Sequence, residues 1–203
     1  MKLYDGGRAP NPRRVRIFLA EKGISVPLQP VNIGAMEQRS PDYARINPMQ
    51  RVPALVLDNG TVIAESVAIC RYFEATQPDP ALFGTGAEEM ALVEMWNRRI
   101  EFNLFQPISF IFRHGHPAMK AMEVPQVAPW AEANRPRVTD FLKFLDGELA
   151  GRPFIAGNTF SIADITALCA VDFMRPARLD VPAEYEHVNR WHGEVAQRPS
   201  AKA

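Results

Sequence analysis

The sequence has little cysteine and no cysteine pair at redox spacing. Only two of its 203 residues are cysteines, Cys70 and Cys169. The absence of Cys-x-x-Cys excludes a dithiol redox centre. Both cysteines stand in apolar segments with helical spacing, so we expect buried free thiols and a reducing compartment, the cytoplasm.

Net charge and long apolar runs are also absent. The chain has 23 Lys and Arg against 23 Asp and Glu. This balance argues against a general affinity for nucleic acid or for an anionic membrane surface. No apolar run approaches the roughly 20 residues of a membrane-spanning helix, and the first residues lack the apolar region of a signal peptide. We therefore expect neither nucleic acid nor a membrane as a partner.

The first 76 residues contain segments typical of strands and helices in alternation. Residues 2–4 predict a short strand, and residues 11–21 predict a helix that Gly23 ends. Residues 26–33 predict a second strand, which two prolines place at a sheet edge. A strand, a helix and a strand in this order imply a parallel pair with a right-handed crossover.

Residues 51–66 predict a hairpin followed by the start of a helix. Residues 54–57 are apolar without alternation, which suits a buried strand. Asn59-Gly60 is a strong signal for a two-residue turn, and residues 61–63 form the returning strand. Glu65-Ser66 then lies where a strand ends and a helix begins. Unpaired backbone N–H groups at such a point favour an anion.

Val52-Pro53 precedes the buried strand, where a proline is tolerated and its peptide bond can be cis. A cis bond would turn the Val52 N–H and C=O outward, where they could pair with another peptide as a strand does. With the Glu65 carboxylate and the helix start nearby, this arrangement suits a small extended peptide with charged ends. From the residues alone, a plain hairpin followed by a helix is the alternative.

The second half of the chain is predicted to be helical. A segment rich in proline and glycine, residues 77–89, predicts a linker between two domains. The predicted domains are therefore residues 1–76 and residues 90–203. Apolar residues at helical spacing predict helices over 90–112, with a bend at Pro107, and over 127–149, 161–174 and 184–197.

Two details of these helices are also predicted. Pro136 lies within the second of them and indicates a kink or a late start. Ser161 and Asp164 form a capping box at the start of the third, with Asp in place of Glu.

Four short motifs follow one another in a fixed order along the chain. They are Asn47-Pro48-Met49-Gln50-Arg51-Val52-Pro53, Glu65-Ser66, Ser161-Ile162-Ala163-Asp164 and Arg198-Pro199. In this order and spacing they resemble the motifs of the cytosolic glutathione transferases, over nearly the whole chain. The resemblance implies an α/β thioredoxin-like N-terminal domain, an all-α C-terminal domain and a homodimer.

The resemblance also implies a site for glutathione, which carries two carboxylates and one ammonium group. In such a site Val52, beside a cis Pro53, pairs with the cysteinyl backbone, and Glu65 with Ser66 holds the γ-glutamyl end. The resemblance places two further side chains, Arg51 and Gln38, near the glycyl carboxylate. For Gln38, an exposed loop amide without a ligand contact is the alternative.

The residue that activates the thiol departs from the common pattern of the family, which uses Tyr, Ser or Cys near the first helix. No Ser, Thr or Cys occurs before Gly23, and Tyr4 is predicted to lie in the core. Pro-Asn at the helix start resembles a bacterial subgroup, the nu class, which is associated with disulfide reduction. We therefore expect Asn11 to be the catalytic residue. The alternative is that Asn11 only caps the helix, with Pro12 as the first helical residue.

Positive charge and aromatic surface complete the expected site. Three arginines near the first helix add positive potential: Arg8, Arg13 and Arg14. The alternative is that they are merely solvated, as arginines on a first turn usually are. Beyond one core stripe, the long helix carries extra candidates for a second-substrate site: Phe102, Phe105, Phe110, Arg113 and His114. The histidines after this helix are too sparse for a metal site, so no metal is expected.

The expected function is glutathione transfer. Glutathione, the co-substrate, would lose its thiol proton and attack an electrophilic carbon or a disulfide of a small second substrate. Detoxification, and disulfide reductase or peroxidase activity, are further possibilities that the resemblance implies. Two alternatives remain: a non-catalytic glutathione-binding or regulatory protein on the same fold, and an interaction module like those attached to translation factors.

Overall fold

The chain divides into two compact units in the computed structural model, which describes residues 1–203. Unit 1 comprises Met1–Leu82 and Pro199–Ala203, and unit 2 comprises Phe83–Arg198. The boundary after Leu82 falls inside the predicted linker. The last five residues, which the sequence assigned to the helical half, group with unit 1.

Unit 1 is built on four strands, β1 (Lys2–Asp5), β2 (Leu28–Pro30), β3 (Ala54–Val56) and β4 (Val62–Ala64). They form one mixed sheet in the order β2-β1-β3-β4. β2 is parallel to β1, whereas β3 is antiparallel to both β1 and β4. β2 is an edge strand, as the two prolines of the predicted segment 26–33 indicated.

Three helices accompany the sheet: α1 (Pro10–Glu21), α2 (Pro41–Ile46) and α3 (Ser66–Thr76). α1 begins one residue earlier than predicted, because Pro10 takes the first helical position, which its fixed φ favours. Gly23, at φ +65°, follows the end of α1 as predicted. The apolar face of α1 is buried, including Val15 and Phe18.

The first part of the linker is held on unit 1 by a buried lysine. The Lys22 ammonium donates to the carbonyl oxygens of Gln77 (2.8 Å), Pro78 (3.1 Å) and Pro80 (2.8 Å). It also forms an ion pair with Glu74 at 2.7 Å. These contacts explain why unit 1 extends past the end of α3.

The tail of the chain packs on α1. Residues Pro199–Lys202 form a 3₁₀ turn. The Arg13 guanidinium donates to the Ala201 carbonyl at 3.0 Å, and the Ser200 hydroxyl donates to the Glu21 carboxylate. Ser200 is buried, which accounts for the place of this segment in unit 1.

Unit 2 is helical. Its helices are α4 (Gly86–Ile100), α5 (Gln106–Gly115), α6 (Ala128–Leu149), α7 (Ile162–Asp172) and α8 (Glu186–Ala196). α6 continues through Pro136, so the late start considered for this helix is wrong. α7 is buried along nearly its whole length, as its apolar sequence predicted. None of the helices combines the length and the apolarity that crossing a membrane requires.

The irregularity predicted at Pro107 takes the form of a π-helical turn. This turn, Glu101–Phe105, joins α4 and α5 directly, so that the two helices follow without a loop. The Gln106 N–H bonds to the Glu101 carbonyl, five residues back. Pro107 has no N–H to continue the α-helical ladder, and a wider turn before it accommodates that loss.

The predicted capping box at the start of α7 is confirmed, and Asp164 does more than cap. The Asp164 carboxylate also accepts the Ile155 N–H at 2.8 Å and the Trp191 indole N–H at 2.9 Å. Burial raises the pKa of Asp164 to about 6, although these hydrogen bonds act in the opposite direction. At neutral pH the carboxylate is therefore mainly ionised and ties α8 to the start of α7.

We predict that Asp164→Ala lowers the free energy of unfolding by about 3 kcal/mol, because it removes the cap and leaves buried donors without an acceptor. Urea unfolding of the full chain at neutral pH measures this loss. The control is Asp140→Ala, an exposed position on α6, where we expect a change within about 0.5 kcal/mol. Equal losses in the two variants would contradict the role assigned to Asp164.

Candidate functional site

The predicted glutathione-site residues of unit 1 lie around one end of the sheet, where β1 and β4 end and β3 begins. Ala54, at the start of β3, pairs with Tyr4 of β1 and with Ala64 of β4. Three segments therefore leave the sheet at this end: the loop from β1 to α1, Val52 with its neighbours before β3, and Glu65 after β4. The strand register alone brings them to the same end.

The peptide edge predicted at Val52 is present. The Val52-Pro53 bond is cis, as expected, and Pro53 is buried. Val52 itself is half-buried. Neither its N–H nor its C=O makes a hydrogen bond within the chain. Both groups therefore remain available to an added peptide.

The loop after β1 packs closely against Val52. A Cβ atom on Gly6 would lie 2.6 Å from Val52 Cγ2 and 2.6 Å from Ile33 Cδ1. The loop is held in place by Asp5, whose carboxylate accepts the Gly7 N–H at 2.8 Å. A side chain at position 6 would therefore force the Val52 Cγ2 and Ile33 Cδ1 atoms to shift.

The segment before Val52 is organised by the Asn-Pro motif. The buried Asn47 donates its amide N–H to the Arg51 carbonyl at 2.8 Å, and the Tyr43 hydroxyl donates to the same oxygen at 2.7 Å. The Arg51 side chain is exposed. Sequence reasoning missed the role of Tyr43, because a tyrosine in a short helix gives no sign of which carbonyl its hydroxyl will reach.

Glu65 occupies a strained backbone position between β4 and α3. Its φ of +68° and ψ of 121° lie outside the common left-handed region. A non-glycine residue held in such a region costs about 1–3 kcal/mol. The Glu65 side chain is exposed and has no partner within the chain. The carboxylate is therefore presented to solvent at the start of a helix.

Ser66, the first residue of α3, is buried and bound to a buried cation. Its Oγ accepts a hydrogen bond of 2.9 Å from Nη1 of Arg14, which is 1% exposed. The alternative that Arg14 is merely solvated is therefore wrong. The sequence carried no signal for this contact, since α1 and α3 meet only in the folded chain. The Ser66 hydroxyl keeps its own proton for donation to a ligand.

Asn11 is the second residue of α1, and it does not cap the helix. The N-cap is Ala9, without a side-chain hydrogen bond, so the capping role considered for Asn11 is wrong. Of the first four N–H positions, Pro10 and Pro12 have no hydrogen, and the Ala9 N–H bonds to Gly6 at 3.3 Å. Asn11 therefore supplies the one free backbone N–H at this helix start. Its side chain is exposed and unbound.

Gln38 lies in a short 3₁₀ turn, Glu37–Arg39, and is 5% exposed. The alternative of an exposed loop amide is therefore wrong. The turn follows β2, which runs parallel to β1. The segment that contains Gln38 therefore leaves the sheet at the same end as the loop from β1 to α1.

The candidates for a second-substrate site belong to unit 2, and three of them have structural partners. Phe105 is 4% exposed and packs edge-on against Phe173, with ring centroids 6.4 Å apart. The Arg113 guanidinium pairs with Glu123 at 2.5 Å. His114 Nδ1 accepts the Val127 N–H at 3.2 Å. The contacts of Arg113 and His114 shape the end of α5 and the loop after it, whereas Phe105 packs in the π-helical turn before α5.

Two aromatic candidates present surface. Phe102 lies in the π-helical turn and is 50% exposed. Phe110 is half-buried, with its ring centroid 5.6 Å from that of Trp130. Unit 2 therefore offers exposed aromatic rings on the helix that contains the π turn.

Known proteins of one family match both halves of the chain. Residues 9–76 match the family described as Glutathione S-transferase, N-terminal domain, and residues 104–199 match Glutathione S-transferase, C-terminal domain. Glutathione S-transferase 2 of Saccharomyces cerevisiae is 37% identical over 205 residues, which cover 100% of this chain and 88% of the relative.

Two solved structures are similar to this chain over nearly its whole length. The crystal structure of Gtt2 from Saccharomyces cerevisiae has 36% sequence identity and a TM-score of 0.95, covering 100% of this chain and 99% of that chain. A glutathione S-transferase domain-containing protein from Marinobacter aquaeolei VT8 also has 36% identity and a TM-score of 0.95. That comparison covers 98% of this chain and 99% of the other.

We predict that Gly6→Ala weakens the binding of glutathione, the expected ligand, about tenfold, which corresponds to ~1.4 kcal/mol. The added Cβ must displace Val52 and Ile33. Titration calorimetry measures the affinity. Gly147→Ala in α6, where a Cβ meets nothing within 4 Å, serves as the control and should bind as the unmodified chain does. Unchanged affinity in Gly6→Ala would contradict this prediction and show that the Val52 and Ile33 side chains move aside without disturbing the site.

Proposed function

This chain belongs to the glutathione S-transferase family, and from that premise we propose how its residues bind glutathione and activate the thiol. The function of the chain is glutathione transfer, as in its relatives. One observation carries the finer proposal. Around a single end of the sheet, the peptide groups of Val52, the amide groups of Asn11 and the Glu65 carboxylate are all without partners in the chain.

We propose that the cysteinyl residue of glutathione lies beside Val52 as an added strand. The Val52 N–H then donates to the C=O of the cysteinyl residue, and the Val52 C=O accepts the N–H of the same residue. Such pairing uses main-chain groups only, so it sets the path of the tripeptide backbone independently of its side chains.

The γ-glutamyl end would be held by Glu65 and Ser66. The Glu65 carboxylate pairs with the ammonium group, and the Ser66 hydroxyl and N–H donate to the carboxylate at the start of α3. Arg14 supports this binding, because its donation to Ser66 Oγ polarises the hydroxyl. At the other end of the tripeptide, Arg51 and Gln38 would hold the glycyl carboxylate.

We propose that Asn11 holds the sulfur as a thiolate. Lowering a thiol pKa from about 8.5 to about 6.5 takes roughly 2.7 kcal/mol of preference for the anion. A helix start supplies about 0.3–1 kcal/mol at an exposed site, and here Pro10 and Pro12 leave few backbone donors. A hydrogen bond to a charged group adds about 1.5–3 kcal/mol. The Asn11 side-chain amide therefore supplies the larger share.

The chemistry follows from what an amide can do. Asn11 donates hydrogen bonds but takes no proton, so the thiol proton leaves to solvent. The thiolate then attacks an electrophilic carbon, forms a C–S bond and expels the leaving group. With a disulfide, it forms a new S–S bond and releases the other sulfur as a thiolate. The Pro-Asn sequence, which resembles that of the nu class, favours the second reaction as an additional activity.

We propose an apolar, aromatic second substrate in contact with unit 2. The exposed ring of Phe102 and the half-buried ring of Phe110 would supply aromatic surface for stacking. Phe105, Arg113 and His114 would keep the shape of this surface through their own partners rather than bind the substrate.

The family also suggests a homodimer and a role in detoxification. Exposed apolar side chains on α4, Met90 at 47% and Leu92 at 41%, are compatible with a subunit interface. We further propose the cytoplasm as the compartment, because Cys70 and Cys169 are both free and buried.

We predict that Asn11→Ala lowers the turnover of an activated aryl chloride by about 10- to 100-fold, because a hydrogen bond to the thiolate is lost. The pKa of the bound thiol should return toward its ordinary value of about 8.5, which the thiolate absorbance in the ultraviolet measures. Asn158→Ala, at an exposed amide of unit 2, is the control and should change neither quantity. If Asn11→Ala keeps full activity toward aryl chlorides and disulfides, the assignment is wrong.

We predict opposite effects of Glu65→Gly on stability and on binding. Glycine relieves the strained φ and should raise the free energy of unfolding by about 1 kcal/mol. The loss of the carboxylate should weaken glutathione binding by at least about tenfold. Glu65→Gln is the matched variant: it keeps the strain, so it should weaken binding without the gain in stability. Thermal unfolding and calorimetry measure the two effects, and tight binding by both variants would exclude the proposed ion pair.

A further inference from the structure

The peptide group between Arg51 and Val52 is anchored from inside unit 1 by two buried donors. From this anchoring we infer that Tyr43 and Asn47 are positioning residues for glutathione, which fix and polarise the Val52 N–H without touching the ligand. The inference rests on the proposed pairing of Val52 with the cysteinyl backbone.

The geometry follows from the planarity of the peptide. The Arg51 C=O and the Val52 N–H belong to one peptide group, which is trans, so the two point in opposite directions. The carbonyl oxygen accepts from the Tyr43 hydroxyl at 2.7 Å and from the Asn47 amide at 2.8 Å. These bonds occupy both lone pairs of the oxygen. With the oxygen fixed toward the protein, the N–H is fixed toward the ligand side.

The two donors are themselves held in place. Asn47 is 2% exposed, and its Oδ1 accepts the Met49 N–H at 3.1 Å. Tyr43 is 5% exposed, with its ring edge-on to that of Tyr4 at 5.8 Å. Burial raises the pKa of Tyr43 to about 12, so the hydroxyl keeps its proton and donates throughout the working pH range. Neither donor has to reorganise when a ligand arrives.

Two hydrogen bonds to a carbonyl also change its N–H. Chains of hydrogen bonds polarise one another, so a peptide group that accepts two bonds becomes a stronger donor. The loop needs this support, because Gln50, directly before Arg51, has a φ of +55°, a conformation that costs energy in a non-glycine residue. Loss of either donor should therefore make the Val52 N–H a weaker hydrogen-bond donor. It should also let the orientation of this peptide group vary more.

The test is Tyr43→Phe, which removes one oxygen atom and keeps the ring. The matched control is Tyr4→Phe, which removes the hydroxyl of the neighbouring ring, and that hydroxyl makes no hydrogen bond within the chain. We use S-methylglutathione as the ligand, because it has no thiol to ionise and so separates backbone pairing from the role of Asn11. Calorimetry gives the affinity, and amide NMR of the unliganded chain gives the Val52 proton resonance.

We expect Tyr43→Phe to bind S-methylglutathione about fivefold more weakly and to move the Val52 amide proton upfield. Tyr4→Phe should change neither quantity. Equal weakening in both variants would indicate general loosening of the fold and overturn the inference, as would unchanged binding in Tyr43→Phe. If Tyr43→Phe does not fold, Asn47→Asp decides through the same two measurements, because it keeps the acceptor for Met49 and removes the donor.

The unmodified chain separates this inference from the proposal beneath it. If S-methylglutathione leaves the Val52 resonance unchanged in the unmodified chain, the proposed pairing with Val52 is wrong. If the ligand shifts that resonance but Tyr43→Phe changes neither the free resonance nor the affinity, only the inference about Tyr43 and Asn47 is wrong.

Discussion

The antiparallel pairing of β3 with its two neighbours decides where every group of the glutathione site in unit 1 lies. Ala54 is paired on one side with Tyr4 and on the other with Ala64. Val52 and Glu65 consequently leave the sheet at the same end. A slip of one residue would turn the side chains of β3 to the opposite face and separate these groups. The buried Leu55 next to this pairing makes such a slip costly.

The site combines unpaired groups at the surface with paired groups beneath them. The Val52 peptide, the Asn11 amides and the Glu65 carboxylate have no partner within the chain. Behind them, Arg14 binds Ser66, and Tyr43 with Asn47 binds the Arg51 carbonyl. A ligand therefore meets groups that are already oriented, so less ordering is needed on binding. The strained φ of Glu65 is a cost in stability that fits a residue retained for its side chain.

Local sequence signals predicted most of the fold. Prolines placed β2 at an edge, and helical spacing predicted the helices of unit 2. Asn59-Gly60 predicted the hairpin, but the two-residue turn expected there is wrong. The Gly60 N–H bonds to the Leu57 carbonyl at 3.0 Å, so Asp58 and Asn59 are the central residues of the turn, and Gly60 follows them at φ +82°. The predicted helix geometry was wrong at two places where a proline changed the local hydrogen bonding or the start of a helix. Pro10 moved the start of α1, so that Asn11 became its second residue rather than its cap. Pro107 produced a π-helical turn rather than a simple bend.

The supporting contacts could not be predicted, because they join residues that are distant in the chain or that have no motif. Arg14 and Ser66 are 52 positions apart, and an arginine near a helix start is ordinarily solvated. Gln38 is buried although both of its neighbours in the turn are exposed, so the polar loop sequence gave no sign of its burial. The Asn-Pro motif pointed to the correct loop, but only the folded chain shows that Tyr43 shares in holding it.

The most direct test of the proposed site is the crystal structure of the chain with reduced glutathione. We predict that the cysteinyl backbone pairs with the Val52 C=O and N–H, and that the sulfur lies within hydrogen-bonding distance of the Asn11 amide. A tripeptide bound away from Val52, or a sulfur whose nearest donor belongs to another residue, would show that the proposed site is wrong.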